Sequence, residues 1–319
     1  MKIKLLYLSV VSAVIVSCQT EPVINRVPVP DGGGEETVPV ERDENTILSG
    51  SFNIRYYNTA DTYSWAMRRG AVMKFINTEK PDFLAMQEVC QVQGQYIVEN
   101  LDECFGYYGV GKFGGELPEA DDEGVFVLYR KDRFALKDKG FFWLADPHDK
   151  CPELNDDGWS YSSWQSRFPR TVVWIEAEDT WHPGQSVWFF ATHYDNVSSY
   201  ARTRSSSLIV EQIHSLTGID GDLKGASMPV ILTGDFNTDL NSSELSSVRL
   251  AMNDARTQSP VTEPSQNTFN NFTDAGVSIV DHIFYGGNIS PAQYDVVTED
   301  YGVKYISDHW PILFLSSYE

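Results

Sequence analysis

The chain has 319 residues, 42% of them apolar, with 24 Lys and Arg against 45 Asp and Glu and a formal net charge of −21. Eight Trp, 16 Tyr and 17 Phe exclude disorder of the bulk, and the length suffices for one large domain or two small ones. The acidic balance argues against a non-specific polyanion binder, which carries a basic footprint, without excluding a nucleic-acid substrate.

Residues 1–18 (MKIKLLYLSVVSAVIVSC) join Lys2 and Lys4 to an apolar run short for a membrane span, with a small residue before Cys18. That is the pattern of an export signal, and the cysteine after IVS resembles a bacterial lipoprotein box. The expectation is an exported protein anchored to a membrane by lipid on Cys18; the alternative is an ordinary signal peptide with an incidental cysteine. Residues 19–45 are rich in Pro, Gly and acids without helical or strand period, the composition of a flexible tether. The remaining domain, 46–319, holds 20 basic and 38 acidic residues and stands near −18. Its cysteines, Cys90, Cys104 and Cys151, are odd in number, so this is no disulfide scaffold, and their spacing is no zinc signature. A Cys90–Cys104 bridge and buried free thiols both fit.

Within the domain, TILSGSFNIRYY (46–57) is extended and β-rich, and WAMRRGAVMKFINTEK (65–80) places Trp65, Val72, Met73 and Ile76 at helical spacing, with Pro81 as a stop. DFLAMQEV (82–89) is a short apolar strand. Further strands are predicted at GVFVLYRKDRF (124–134), RTVVWIEAE (170–178), SVWFFATHYDN (186–196), MPVILTGDFN (228–237), VDHIFYGG (280–287) and WPILFL (310–315). A helix over YARTRSSSLIVEQIHSLTG (200–218) shows Leu208, Ile209, Gln212, Ile213 and Leu216 on one face, with Gly218 as its C-terminal cap. Between Phe141 and Phe168 lies a long Trp- and Asp-rich stretch, in which Trp143, Trp159 and Trp164 either wall a pocket or pack a core. Strands apolar almost throughout imply burial on both faces, as in paired sheets covered by helices.

Polar residues stand where the apolar runs end or are interrupted: Asn53, Glu88, His193, Asp235 with Asn237, Asp281, and the pair Asp308–His309 inside SDHWP. Singly, each reads as a turn former or a satisfied structural group. Together they make one chemical inventory. Glu88 and Asp308, helped by the amide oxygen of Asn53, suit a hard divalent cation such as Mg²⁺, which needs few carboxylates. Asp281 beside His309 would orient the imidazole as a general base for water. Asp235 and Asn237 would serve the attacking or leaving oxygen, and His193 would donate to a phosphoryl oxygen.

The ordered series SFNIR, QE, THYDN, GDFN, VDHIF and SDHWP resembles the endonuclease/exonuclease/phosphatase superfamily, the DNase I-like phosphoesterases, over about Thr46 to Leu315. The resemblance implies an α+β fold, a single four-layer α/β/β/α sandwich with the site at one edge of the paired sheets. It carries the metal role to Glu88 and Asp308 with Asn53 assisting, the catalytic histidine to His309 and its orienting acid to Asp281. It carries the acid/base aspartate to Asp235 with Asn237, and the phosphate-contacting histidine to His193. FFWL, RFPRTVVW and NTF at Thr268 look like the exported bacterial deadenylase-like branch, which makes Arg170 a candidate phosphate contact, a surface or ion-paired arginine being the alternative, with Asp195 and Asn196 supporting the substrate side. His282 stands where the family shows Tyr or Trp, and no catalysis is assigned to it.

The expected activity is Mg²⁺-dependent hydrolysis, with Mn²⁺ as substitute, of a small or lipid-linked phosphate mono- or diester by in-line attack of water, in a monomer. The rivals are a secreted nuclease and a binding module that kept the fold without the chemistry. The complete inventory argues against the latter.

Overall fold

The chain is described by a computed structural model over residues 42–160, 162–262, 266–274 and 276–319. The export signal, Cys18 and the tether as far as residue 41 lie outside the described residues. The elements are β1 (Thr46–Asn53), α1 (Trp65–Glu79), β2 (Phe83–Val89), α2 (Gln91–Asn100), β3 (Phe105–Gly111), β4 (Gly124–Arg130), β5 (Phe134–Trp143), β6 (Thr171–Asp179) and β7 (Ser186–His193). There follow α3 (Ser199–Thr217), β8 (Val230–Asp235), α4 (Ser246–Ala251), β9 (Asn253–Asp254), α5 (Ala255–Gln258), β10 (Val261–Thr262), β11 (Asp281–Gly286), β12 (Ile289–Val296) and β13 (Ile312–Tyr318). One sheet runs β10-β12-β13-β1-β2-β4-β3, the other β5-β6-β7-β8-β11-β9.

Why the strands read as unbroken apolar runs is visible residue by residue. In β2, Phe83 and Ala85 enter the core between the sheets, while Leu84 and Met86 enter a second core beneath α1 and α2. In β7, Phe189 and Ala191 face the first sheet, and Trp188 and Phe190 face α3. The side-chain period of two therefore serves an apolar partner on both faces. Three cores stacked between four layers give the α/β/β/α sandwich, and the α+β class expected from the sequence is the one observed. Phe83 and Phe189 stack across the inter-sheet gap at 5.3 Å between ring centroids. The chain is already seated before β1: Arg42 donates to the carbonyls of Glu79 and Lys80 at 3.2 and 2.9 Å and pairs with Asp82 at 3.0 Å.

Several elements exceed the sequence reading. GVFVLYRKDRF is not one strand: β4 stops at Arg130, and β5 begins at Phe134 after a turn. β5 is an edge strand exposed through residues 135–139, and β3 is the edge of the first sheet, so neither carries a continuous apolar run. Helix α2 buries only Gln93, Gly94 and Ile97, too little for a helical stripe. Cys90, Cys104 and Cys151 are free thiols. Of the aromatic loop, Trp164 packs in the core under α3, while Trp143 donates Nε1–H to the Lys112 carbonyl at 3.0 Å.

Neighbouring strands run parallel in β1–β2 of one sheet and in β7–β8 of the other. The C-terminal ends of both pairs lie at the same edge of the sandwich. Because β11 runs antiparallel to β8 and β13 antiparallel to β1, the start of β11 and the residues entering β13 arrive there too.

Candidate active site

Strand register builds the first row of the site. His193 at the end of β7 is opposite Asp235 at the end of β8, and Asp235 is opposite Asp281 at the start of β11. The residue before Asp235 must be glycine: a Cβ on Gly234 would lie 2.0 Å from the Thr192 carbonyl oxygen. On the facing sheet, Asn53 ends β1 and Glu88 sits in a bulge of β2, between Met86 and Val89, with φ of 62°. A left-handed backbone is costly for glutamate, and the bulge re-aims its carboxylate toward the site.

The side chains converge. Asn53 Nδ2 donates to Glu88 Oε1 at 3.2 Å and to Asp235 Oδ2 at 3.0 Å, joining the two sheets. Its oxygen accepts the Arg55 N–H at 3.0 Å, so Asn53 offers its nitrogen, not its oxygen, to the acids. Glu88 Oε2 accepts the Tyr56 N–H at 2.9 Å. Burial pushes the Glu88 carboxyl up, and the charges of Glu123 and Asp308 push it the same way. Asp308 accepts from the Ser307 hydroxyl at 3.2 Å and lies 3.6 Å from Arg55 Nη1. Asp308 and His309 are each 6% exposed, so SDHWP is no solvated turn.

His309 Nδ1 meets Asp281 Oδ2 at 2.8 Å, and its Nε2 is 3.8 Å from Asp235 Oδ2. Burial opposes the imidazolium, but Asp281, then Asp235 and Asp308, raise its pKa to about 10. Asp235 is pushed up to about 7 by burial and then by the like charge of Asp281, against the pull of His309, the Asn237 N–H and Asn53. A carboxyl in that range exchanges its proton near neutrality. Asn237, at φ of 50°, donates its N–H to Asp235 Oδ1 at 2.9 Å and its side chain to the Tyr194 carbonyl at 3.0 Å. A strap holds the Asp281 side of the site. The Thr268 hydroxyl accepts the N–H groups of Val280 and Asp281 at 3.0 and 3.1 Å, and Asn270 and Asn271 donate to the Asp308 carbonyl.

Arg170 Nη1 donates to His193 Nδ1 at 2.9 Å. An arginine only donates, so the His193 proton sits on Nε2, 3.5 Å from Asp235 Oδ2. Burial and then the neighbouring Arg170 hold the His193 pKa well below its ordinary value. Arg170 is 7% exposed, its Nε has no hydrogen-bond partner, and among the described residues no carboxylate forms an ion pair with it. Asp195 works behind it, accepting the N–H groups of Arg167, Phe168, Val197 and Ser198. Asn196 is exposed at the surface, and His282 is held by the Thr238 carbonyl at 2.9 Å.

The donor chemistry fits a hard divalent cation. Glu88 and Asp308 are carboxylates whose mutual repulsion a cation relieves, and the nearby Cys90 thiol is turned to the Glu88 backbone carbonyl. Asp235, Asp281 and His309 offer ligand atoms within 4.8 Å of one another, but Asp281 Oδ2 is already given to His309. The cleft beside Glu88 is also lined by Lys112, Glu123, Arg170, Thr171 and His193. Lys112 and Glu123 carry no sequence signal, and Arg55, although it closes the SFNIR stretch, is given no role by the sequence.

The comparisons with known proteins agree with this fold. The chain is 24% identical over 270 residues to an uncharacterized protein of Acanthamoeba polyphaga mimivirus, covering 79% of this chain and 92% of that one. Its fold is similar to an endonuclease/exonuclease/phosphatase from Bacteroides vulgatus, at 26% identity and TM-score 0.74, over 86% of this chain and 99% of that one. It is also similar to a mannosyl-6-phosphatase from Bacteroides thetaiotaomicron VPI-5482, at 26% identity and TM-score 0.73, over 85% and 100%. Residues 50–309 match the sequence profile of the Endonuclease/Exonuclease/phosphatase family, and the chain belongs to that family.

Proposed function

We propose that the protein is a divalent-cation-dependent phosphoesterase that hydrolyses a small or lipid-linked phosphoester by in-line attack of water. The observation that carries this reading is Arg170: a buried guanidinium with no carboxylate partner among the described residues, next to a neutral histidine whose remaining N–H faces the site. A buried cation so placed calls for an anion. A phosphoryl group is the anion that the family hydrolyses.

Glu88 and Asp308 would hold the cation, Mg²⁺ or Mn²⁺, which supplies charge neutralisation to the phosphoryl oxygens when bound. Asn53 keeps Glu88 and Asp235 in one orientation. Asp235 accepts the proton of the attacking water, with Asn237 fixing its other oxygen. The sequence suggests His309 as base, but its contact with Asp281 at 2.8 Å and the charges of Asp235 and Asp308 favour the protonated imidazolium. In this reading it binds phosphoryl oxygen through Nε2, with Asp281 behind it. His193 Nε2–H and Arg170 bind the remaining oxygens.

The acidic surface and the mannosyl-6-phosphatase likeness support a small sugar- or lipid-type ester over nucleic acid. A screen of sugar phosphates, phospholipid head groups, single-stranded RNA and plasmid DNA, with and without Mg²⁺, tests the proposal. Nucleic acid cleaved with the highest kcat/KM would replace it with the nuclease reading. Attachment outside the cytoplasm through Cys18 is part of the same proposal, on the strength of residues 1–18 alone. Incorporation of labelled palmitate into wild type but not Cys18→Ala would bear it out.

A further inference from the structure

The cleft beside Glu88 holds two cations, and they are not equivalent. Among the described residues Arg170 has no carboxylate partner, whereas Lys112 Nζ lies 3.1 Å from Glu123 Oε1. Lys112 and Glu123 are the pair that follows Gly111 and Gly124 at the mouth of the β3–β4 hairpin, and the Lys112 N–H continues the ladder to the Glu123 carbonyl at 3.0 Å. The ammonium stands over Phe168 at 5.1 Å, and Trp143 props the Lys112 backbone from the other side. Both side chains are therefore held against the substrate side of the site. Glu123 also leads the neighbouring charges that push the Glu88 carboxyl up. The cleft thus contains one free positive charge and one that is cancelled.

We propose that Glu123 is a specificity-determining residue: by neutralising Lys112 it restricts the site to esters presenting one phosphoryl group and disfavours polyphosphates and nucleic-acid chains. The proposal rests on the phosphoesterase reading. A single phosphoryl group is matched by the cation, Arg170 and the two histidines. A second phosphate entering along the cleft meets a carboxylate and a lysine with no charge to spare. Removing the Glu123 carboxylate frees Lys112 and turns the same wall into a receptor for that second phosphate.

The test is a ratio. Inorganic phosphate and tripolyphosphate are titrated by calorimetry into metal-free wild type, Glu123→Gln and Glu123→Ala, with thermal melts confirming folding. Both variants should tighten tripolyphosphate relative to phosphate by roughly tenfold, the size expected of one part-exposed charge. Adding Lys112→Met to Glu123→Gln should return the ratio to the wild-type value. In turnover, Glu123→Gln should raise kcat/KM for a single-stranded oligonucleotide relative to mannose 6-phosphate by a similar factor. An unchanged binding ratio in both variants, or a gain that survives loss of Lys112, overturns the proposal. A wild type that binds phosphate but hydrolyses no ester would sink the phosphoesterase reading, while the binding ratios would still decide the role of Glu123.

Discussion

Arg170→Met should make the protein more stable and nearly inactive. Methionine keeps the apolar stem against Phe168 and removes the guanidinium. The losses are the hydrogen bond to His193 at 2.9 Å, worth about 1 kcal/mol, and the contact over Phe168 at 5.6 Å, worth about 0.5–1 kcal/mol. Against these stands the desolvation of a charge 7% exposed with Nε unpartnered, several kcal/mol in real proteins. The net gain is about 1–3 kcal/mol, which for a domain of this size raises Tm by roughly 2–8 °C. Phosphate should raise the Tm of wild type and lose that effect in the variant, because the anion supplies the missing partner. The assay is thermal melting with and without phosphate, alongside kcat/KM, which should fall by about 10²-fold or more. A variant destabilised by more than about 1 kcal/mol, or still stabilised by phosphate as well as wild type, would refute the idea that Arg170 is an unpaired charge waiting for substrate.

Glu88→Gln should fold and melt like wild type yet lose nearly all turnover at saturating Mg²⁺, since an amide is a poor cation ligand; a fully active variant would rule out Glu88 as the metal residue. Because Asp235 is held near 7 partly by Asp281, kcat/KM should rise as pH rises through the Asp235 titration. In Asp281→Asn that ascending limb should move to lower pH while kcat falls by about 10²–10⁴, and a limb that stays put would show that another group titrates. Asp195→Ala deprives four backbone N–H groups of their acceptor and should cost about 2–4 kcal/mol by denaturant melt, with KM rising more than kcat falls because the loop carrying Arg170 loosens.

How far the sequence foretold the molecule depended on burial. Strands facing two cores, such as β2 and β7, announced themselves as apolar runs, and the polar residues at or next to their ends stood out against that background. Glu88, His193 and Asp235 were legible for that reason. β5, with five exposed positions, and α2, with three buried ones, had no comparable contrast. At the site, residue types were readable but directions were not. Asn53 reads as an oxygen donor, and only the Arg55 N–H that takes its oxygen reveals that it turns nitrogen toward Glu88 and Asp235. Lys112 and Glu123 were invisible because they stand eleven positions apart, and only the hairpin loop folds them back to 3.1 Å. The SDHWP stretch was ambiguous in letters, and burial of Asp308 and His309 resolved it.

The bridge from Asn53 to Asp235 and the pairing of His309 with Asp281 each span from one sheet to the other. The reactive geometry is thus a measurement of how the two sheets are aligned, and its ruler is the apolar layer between them. A void opened far from the chemistry, for instance by Phe189→Ala under the Phe83 stack, lets the sheets slide by fractions of an ångström before anything unfolds. Turnover would then fail at temperatures where the protein is still folded, and the gap between loss of activity and loss of structure would report the stiffness of the interior.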